Sequence, residues 1–232
     1  MGMEAFRAWF SQLELDKLWE LLVTVGSCLL CITFHETCHG LAAYAMGDDT
    51  AKRAGRLTLN PLKHIDIAGL VMLAVAKFGW AKPVPVDMRK FRSPKAGMAV
   101  TALAGPVSNV LLSAVAMMLY AVCAFYSAVT GSTLFHYLEL FFFYTTILSA
   151  GLTVFNLFPV PPLDGSKVLF AFLPERGYYT LMRYERYGMI VLMVLLLSGV
   201  LDTPLGVLRS GLLDFLSRFC MWPYDLLVRH YF

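Results

Sequence analysis

Long apolar stretches alternate with polar connections along the chain. Three of them, at about residues 18–46, 97–129 and 135–158, exceed the ~20 apolar residues that a helix needs to cross a bilayer. Two shorter stretches follow at about residues 187–201 and 205–221. The pattern predicts an all-α integral membrane protein, a polytopic bundle of about five transmembrane helices.

The connection between the first two apolar stretches contains two further patterns. Residues 56–59 alternate between polar and apolar side chains, which predicts a short strand. Residues 65–76 are apolar but too few to span a bilayer, so we expect a re-entrant or interfacial element there. Near the N-terminus, apolar residues at helical spacing predict an interfacial helix over residues 1–17: Phe6, Trp9, Phe10 and Leu13.

The composition supports a membrane location. Hydrophobic residues make up 58% of the chain and charged residues only 15%, whereas a soluble domain has about 25% charged residues. The net charge of +3 is small, and no nucleic-acid partner is expected. The five cysteines lie in or beside apolar stretches rather than at loop spacings, so no disulfide framework is expected.

A metal-binding pattern lies inside the first apolar stretch, where His35, Glu36 and His39 form an HExxH sequence. On a helix, residues i and i+4 share one face, so both imidazoles can bind one Zn²⁺ while Glu36 reaches a water molecule beside it. Titratable groups at membrane depth are energetically unfavourable and usually functional. Cys38 lies on the opposite side of His35 from His39, which makes it a poorer candidate ligand.

The distribution of basic residues predicts the orientation of the bundle. The connection between the first and second stretches carries ten Lys or Arg residues, whereas the turn between the second and third carries none. The first connection is therefore expected in the cytoplasm and the N-terminus outside. His35 would then lie ~16 Å below the cytoplasmic end of the first helix, at 1.5 Å per residue.

A catalytic zinc site uses three protein ligands and one open position, so the two histidines need a third partner. The candidates near the membrane are His136, Glu139, Asp164 and Asp202. The predicted topology puts three of them in the external half, whereas Asp164 enters from the side that carries the HExxH sequence. An N-cap role for Asp164 at the start of the next helix is the alternative.

Two motifs together resemble a known family. Residues 35–40 (HETCHG) and 156–165 (NLFPVPPLDG) are similar to the paired motifs of the site-2 protease family of intramembrane zinc metalloproteases. Four further stretches resemble its compact bacterial and archaeal members, in the family's order: residues 55–61, 64–66, 79–86 and 104–109. The resemblance covers about residues 18–173.

The resemblance implies a role for each residue of the site. Asp164 would be the third zinc ligand, Glu36 the catalytic base, and Asn156 a contact for the substrate backbone or the oxyanion. We expect one Zn²⁺ per chain and a transmembrane protein as substrate. The location implied is a prokaryotic cytoplasmic membrane, with the active site toward the cytoplasm. The oligomeric state stays open.

The PDZ and CBS domains of larger relatives do not fit this chain, so a single intramembrane domain is expected. It would comprise the interfacial helix (1–17), a catalytic core (18–173) and additional transmembrane helices (174–232).

The predicted function is that of an intramembrane zinc endopeptidase that cleaves transmembrane segments, in regulated intramembrane proteolysis or in clearance of remnant signal segments. The strand at residues 56–59 would hold the unwound substrate by edge pairing. Two alternatives stay open: a metal transporter with intramembrane His and Asp residues, and a catalytically silent protein that binds membrane segments.

Three further residues have structural roles to be decided. His64 either supports a loop near the mouth of the site or contacts the substrate. Asn109 is expected to form a hydrogen bond across a helix interface, and Gly105 would let another helix approach closely.

Overall fold

The structure of the chain is a computed structural model that describes residues 15–69 and 80–231. Its α-helices, in chain order, are α1 (Leu15–Ala45), α2 (Thr50–Arg53), α3 (Pro94–Thr130), α4 (Thr133–Asn156), α5 (Asp164–Ala171), α6 (Glu175–Leu197), α7 (Asp202–Cys220) and α8 (Trp222–Tyr231). Two 3₁₀ turns, Pro61–Lys63 and Met88–Lys90, lie between α2 and α3. The described residues contain no strand, which confirms the predicted all-α class.

Helices α3 and α4, which follow each other directly in the chain, form an antiparallel hairpin. α3 begins at Pro94, in the first turn of the helix, where the missing N–H of proline leaves no helical hydrogen bond unmade. It ends at Thr130, and the residue that follows, Gly131, has a left-handed φ of 62° that suits a glycine. Because α4 begins almost immediately, at Thr133, the two helices must lie side by side.

Hydroxyl-bearing residues connect the helices of the bundle. Ser27 Oγ on α1 donates to the Phe141 carbonyl on α4 at 3.0 Å. Ser113 Oγ on α3 donates to the Thr146 carbonyl on α4 at 2.9 Å. Small polar residues let helix backbones approach closely and supply interhelical hydrogen bonds in a bilayer, where lipid is as apolar as the side chains. Helices α1, α3 and α4 therefore form the core that carries the site.

Among the residues that the structure describes, three helices are long and apolar enough to cross a membrane: Lys17–Ala45, Pro94–Thr130 and Thr133–Asn156. The pair Tyr187–Leu197 and Asp202–Cys220, bent by 87°, would make a fourth span. The described residues thus form a multi-pass membrane protein with three or four candidate spans, and a fifth is not confirmed. The apolar part of α6 is short, and α7 carries four charged residues: Asp202, Arg209, Asp214 and Arg218.

The strand predicted at residues 56–59 is absent, so that prediction was wrong. The Thr58 carbonyl, which a ladder would need, accepts hydrogen bonds from Thr37 Oγ1 at 2.9 Å and from His64 Nε2 at 2.9 Å. Alternation of polar and apolar side chains indicates a strand only where a second strand lies beside it, and the described residues supply none. The predicted edge pairing of an unwound substrate with a strand at residues 56–59 is therefore not supported.

Two predicted elements lie largely outside the described residues. They are the interfacial helix at residues 1–17, of which only residues 15–17 are described, as the start of α1, and the re-entrant element at residues 65–76, of which residues 65–69 are described.

Candidate metal centre and catalytic base

One face of α1 presents both histidines of the HExxH sequence to the interior of the bundle. His35 is 6% exposed and His39 is 9% exposed. Their Nε2 atoms lie 2.9 Å apart, and the two rings are perpendicular with centroids 4.5 Å apart. This is the arrangement expected for residues i and i+4 on one helical face.

The carboxylate of Asp164 completes the cluster. Its Oδ2 atom lies 3.3 Å from His35 Nε2 and 3.1 Å from His39 Nε2, and the residue is 8% exposed. Within residues 15–69 and 80–231, these three are the one group of His, Cys, Asp or Glu side chains close enough to share a metal ion, with ligand atoms within 4.8 Å of one another.

A sharp turn after α4 brings Asp164 into the cluster. A Cβ atom at Gly165 would collide with the carbonyl of Leu157 at the end of α4, so only glycine allows the chain to fold back this closely. Leu163 is the N-cap of α5, and Asp164 lies in its first turn. The alternative of Asp164 as N-cap is therefore not observed.

The ligand atoms suit a cation. The Thr101 carbonyl lies 2.7 Å from His39 Nδ1, and because a carbonyl only accepts, Nδ1 donates to it and Nε2 is the nitrogen left for a metal ion. His39 Nε2 faces the Asp164 carboxylate at 3.1 Å, an arrangement that needs either a proton or a metal ion between the two groups. Two imidazole nitrogens and one carboxylate oxygen, with one position left open, are the donor set of catalytic zinc. The residues present fit zinc.

The charge state of Asp164 agrees with a ligand role. Burial alone would raise the pKa of its carboxyl group, but its contacts with His35, His39 and Lys167 outweigh burial and hold the pKa below its ordinary value. Lys167 Nζ lies 4.0 Å from Asp164 Oδ1, one turn along α5. Asp164 is therefore an ionised carboxylate.

Gly105 on α3 forms the wall behind the two imidazoles. A Cβ atom at this position would collide with Nε2 and Cε1 of His39 and with Cε1 of His35. The close helix approach expected at Gly105 is therefore observed, and it is directed at the two imidazoles of the cluster. The absence of a side chain there makes room for both rings.

Glu36 lies beside the cluster and outside it. Its side chain is half-buried, and Oε2 accepts a hydrogen bond from the Val84 backbone N–H at 2.9 Å. Val84 belongs to the segment of residues 80–87, which has no regular secondary structure and precedes α3 in the chain. A carboxylate held in this way beside the ligands, without being one of them, is suited to act as a base.

A buried carboxylate anchors the segment that carries Val84. Asp48, at 0% exposure just after α1, accepts from the Asp87 N–H at 2.6 Å and from the Thr50 N–H at 2.9 Å. Burial alone would raise the pKa of Asp48, but these hydrogen bonds, the Thr50 hydroxyl and the Lys90 charge outweigh it and lower the pKa. The charged anchor joins the end of α1 to the loop over Glu36.

A cavity of about 450 Å³ opens over the cluster. Its lining combines the ligands and Glu36 with side chains from the loop, α3, α4 and α5: Pro83, Val84, Met98, Asn156 and Lys167. Asn156 is half-buried, and its Nδ2 donates to the Leu152 carbonyl at 3.0 Å. The arrangement can hold a peptide next to a metal ion, a base and an amide.

Comparisons with known proteins decide the family. The model of peptidase family M50 matches residues 122–199. The chain is 39% identical over 182 residues to "Putative zinc metalloprotease YwhC" of Bacillus subtilis, covering 78% of this chain and 81% of that protein. The chain belongs to peptidase family M50. "Putative zinc metalloprotease Rip2" of Mycolicibacterium smegmatis is 28% identical over 185 residues, covering 78% of this chain and 69% of that protein. No solved structure matches.

M50 membership confirms the resemblance to the site-2 protease family and the predicted enzyme class, a zinc metalloprotease. The residues matched by the family model include Asn156 and Asp164. The HExxH sequence lies before them, at residues 35–39.

The structure brings together the predicted site residues of this M50 chain. His35, His39 and Asp164 form the cluster, and Glu36 and Asn156 line the same cavity. The other candidate ligands are not part of that cluster: Cys38, His136, Glu139 and Asp202.

The loop histidine His64 is 2% exposed, and its Nε2 bonds to the Thr58 carbonyl. This contact agrees with the predicted role in supporting the loop.

Sequence reasoning missed two residues that hold the imidazoles of the M50 site. One is Thr101, whose carbonyl fixes His39, and the other is Asn109, whose Nδ2 lies 3.2 Å from His35 Nδ1. The hydrogen bond expected for Asn109 across a helix interface exists, but its partner is an imidazole of the His35, His39 and Asp164 cluster. Gly105 and Asn109 are four residues apart and share the face of α3 that packs on α1, and this spacing was the available signal.

Proposed function

We propose that this M50 chain is an intramembrane zinc endopeptidase that cleaves transmembrane segments of membrane proteins. The observation that carries the proposal is the convergence of His35, His39 and Asp164 inside a membrane-spanning bundle, with Glu36 beside them and outside the ligand set. His35, His39 and Asp164 would hold one zinc ion. The catalytic core would extend over residues 18–173 of a single domain.

The residues around the site have separate roles in this reaction. Zinc would supply Lewis acidity that polarises the scissile carbonyl and lowers the pKa of water. Glu36 accepts a proton from the attacking water and returns it to the departing amine. The Val84 N–H orients the Glu36 carboxylate through Oε2. Asn156 contacts the substrate backbone or the oxyanion from the wall of the cavity.

The substrate must lose its helical structure before it reacts. The carbonyls of a transmembrane helix are engaged in hydrogen bonds to residues one turn away, so they are not free to meet a metal ion. A substrate of this protein would therefore be a transmembrane helix or remnant signal segment that unwinds locally. Regulated intramembrane proteolysis and the clearance of signal segments both supply such substrates.

We expect the purified full-length protein in detergent to carry about one zinc ion per chain, because two His and one Asp complete a site with one open position. Metal analysis of the His35→Ala/His39→Ala double variant and of Asp164→Ala should show its loss. His136→Ala is the control, since this exposed histidine lies away from the cluster. A wild-type protein without zinc, or a double variant that keeps it, would contradict the site.

The active site is proposed to lie toward the cytoplasm, because the connection between α1 and α3 is rich in Lys and Arg. In a cysteine-free background, Thr133→Cys at the α3–α4 turn should react with an impermeant thiol reagent added to intact cells. Lys63→Cys should react only after permeabilisation. Both positions are exposed, so the reverse pattern of labelling would invert the topology.

A further inference from the structure

His35 and His39 differ in what holds the ring nitrogen that points away from the metal cluster. His39 Nδ1 faces the Thr101 carbonyl, a group that can only accept a hydrogen bond. His35 Nδ1 faces the side-chain amide of Asn109, with Nδ2 at 3.2 Å. Asn109 is 0% exposed, and its Oδ1 has no hydrogen-bond partner within the described residues.

The amide of Asn109 can pair with either neutral tautomer of His35. When Nδ2 faces Nδ1 and donates to it, the ring proton is on Nε2, where it points toward His39 Nε2 at 2.9 Å. A ligand nitrogen must present a lone pair, so ligation through His35 Nε2 requires the proton on Nδ1. A half-turn of the amide then brings Oδ1 to Nδ1, where it accepts that proton's hydrogen bond.

We propose that Asn109 is a positioning residue that sets the tautomer and the ring orientation of His35. Its Oδ1 accepts from His35 Nδ1–H, as the Thr101 carbonyl accepts from His39 Nδ1–H, so that both Nε2 lone pairs point at the zinc position. The two arrangements differ only in which ring nitrogen carries the proton, so no net proton is exchanged. This inference rests on the proposed function, because it assigns Asn109 to the same zinc site.

An amide suits this position for two physical reasons. Asn109 lies within the membrane-spanning helix α3, where a neutral group is less unfavourable than a carboxylate. It also follows Gly105 by four residues on the same face of α3. Gly105 therefore makes room for both imidazole rings, and Asn109, one turn further along, holds the ring of His35.

The test compares zinc affinities of full-length variants in detergent, measured by competition with a chromogenic chelator. Asn109→Leu keeps the approximate shape and removes the acceptor, and its zinc dissociation constant should rise ~10–100-fold, the usual effect of removing a hydrogen-bond partner of a ligand histidine. The carboxylate in Asn109→Asp can only accept a hydrogen bond, so this variant should keep the zinc affinity of wild type. Ser113→Ala is the control, since Ser113 is equally buried on α3 and bonds to the Thr146 carbonyl instead.

A role in packing alone makes a different prediction for the same variants. It predicts that Asn109→Leu and Asn109→Asp weaken zinc binding equally, or that Asn109→Leu binds as tightly as wild type, and either outcome overturns the proposal. The melting temperature of chelator-treated protein shows whether a variant has lost its fold rather than its ligand geometry. If Asn109→Asp does not fold, the zinc dissociation constants of Asn109→Leu and Ser113→Ala are compared instead. Equal constants would overturn the proposal.

The visible absorption spectrum of the Co²⁺-substituted protein gives an independent readout. It should change in Asn109→Leu and not in Ser113→Ala, because only the first alters the orientation of a ligand. Identical spectra for both variants and wild type would contradict the positioning role proposed for Asn109. A wild-type protein that binds no zinc would contradict the proposed function itself, which is a different outcome.

Discussion

Glu36→Gln is expected to keep the zinc content of wild type while losing nearly all cleavage. The amide has the shape of the carboxylate and keeps an oxygen that can accept the Val84 N–H, so the loop over the site should stay in place. It cannot take a proton from water. General acid–base catalysis contributes ~10²–10⁴ in rate, and a loss of at least that size is expected.

The measurement is single-turnover cleavage of a one-span model substrate with a helix-breaking Asn-Pro pair, reconstituted with the protease in micelles. Glu20→Gln is the matched control, since Glu20 is an exposed glutamate on the same helix. Cleavage by Glu36→Gln at the wild-type rate would remove the proposed mechanism. Loss of zinc would instead move Glu36 into the ligand set.

The same variant separates the protease from the two alternatives. A metal transporter would still carry zinc into vesicles and would cut nothing in either form. A silent binder would hold the model substrate equally well with Glu or Gln at position 36. The protease proposed here should retain uncut substrate only in the Glu36→Gln form.

Gly105→Ala is expected to weaken zinc binding by ~100-fold, the upper end of the loss that follows when ligand histidines are no longer held in place. The added Cβ would collide with both imidazoles. The rings have little freedom to move, because His39 is held by the Thr101 carbonyl and His35 by Asn109, both on the same helix as the new methyl group. Helix formation is not the reason for the loss, since Ala is favoured over Gly in a helix by ~1 kcal/mol.

Gly151→Ala provides the control for that substitution. Gly151 lies on α4, and a Cβ atom there would meet only Arg209 Cδ, at an ordinary 3.9 Å. Chelator competition on both variants should show weaker zinc binding for Gly105→Ala alone. Equal affinities in wild type and Gly105→Ala would mean that the rings can withdraw from α3, and the role assigned to Gly105 would be wrong.

Much of the fold follows from the apolar pattern. The three long stretches became α1, α3 and α4 because lipid leaves no solvent partner for backbone groups, so a long apolar segment must form a helix. The later stretches were harder to interpret. Their apolar runs are shorter and charged residues interrupt α7, so length and composition support only one broken span there.

The alternation at residues 56–59 shows a different limit. Period-two patterns report which side chains share a face, but a strand also needs a neighbour to pair with. Here the side chains of Thr37 and His64 bond to the backbone instead. That outcome depends on where α1 and the loop lie, and no local pattern contains this information.

The pairing of His35 with His39 was determined by the sequence alone, because residues i and i+4 meet on any helix. The need for a third ligand followed from zinc chemistry, and Asp164 from the predicted topology and the family resemblance. Only the tertiary structure decided how these groups are held. Gly105, Asn109 and the Val84 N–H act on residues far away in the chain, on other elements. Periodicity indicates which face of a helix is buried, but the partner that this face meets is determined by packing.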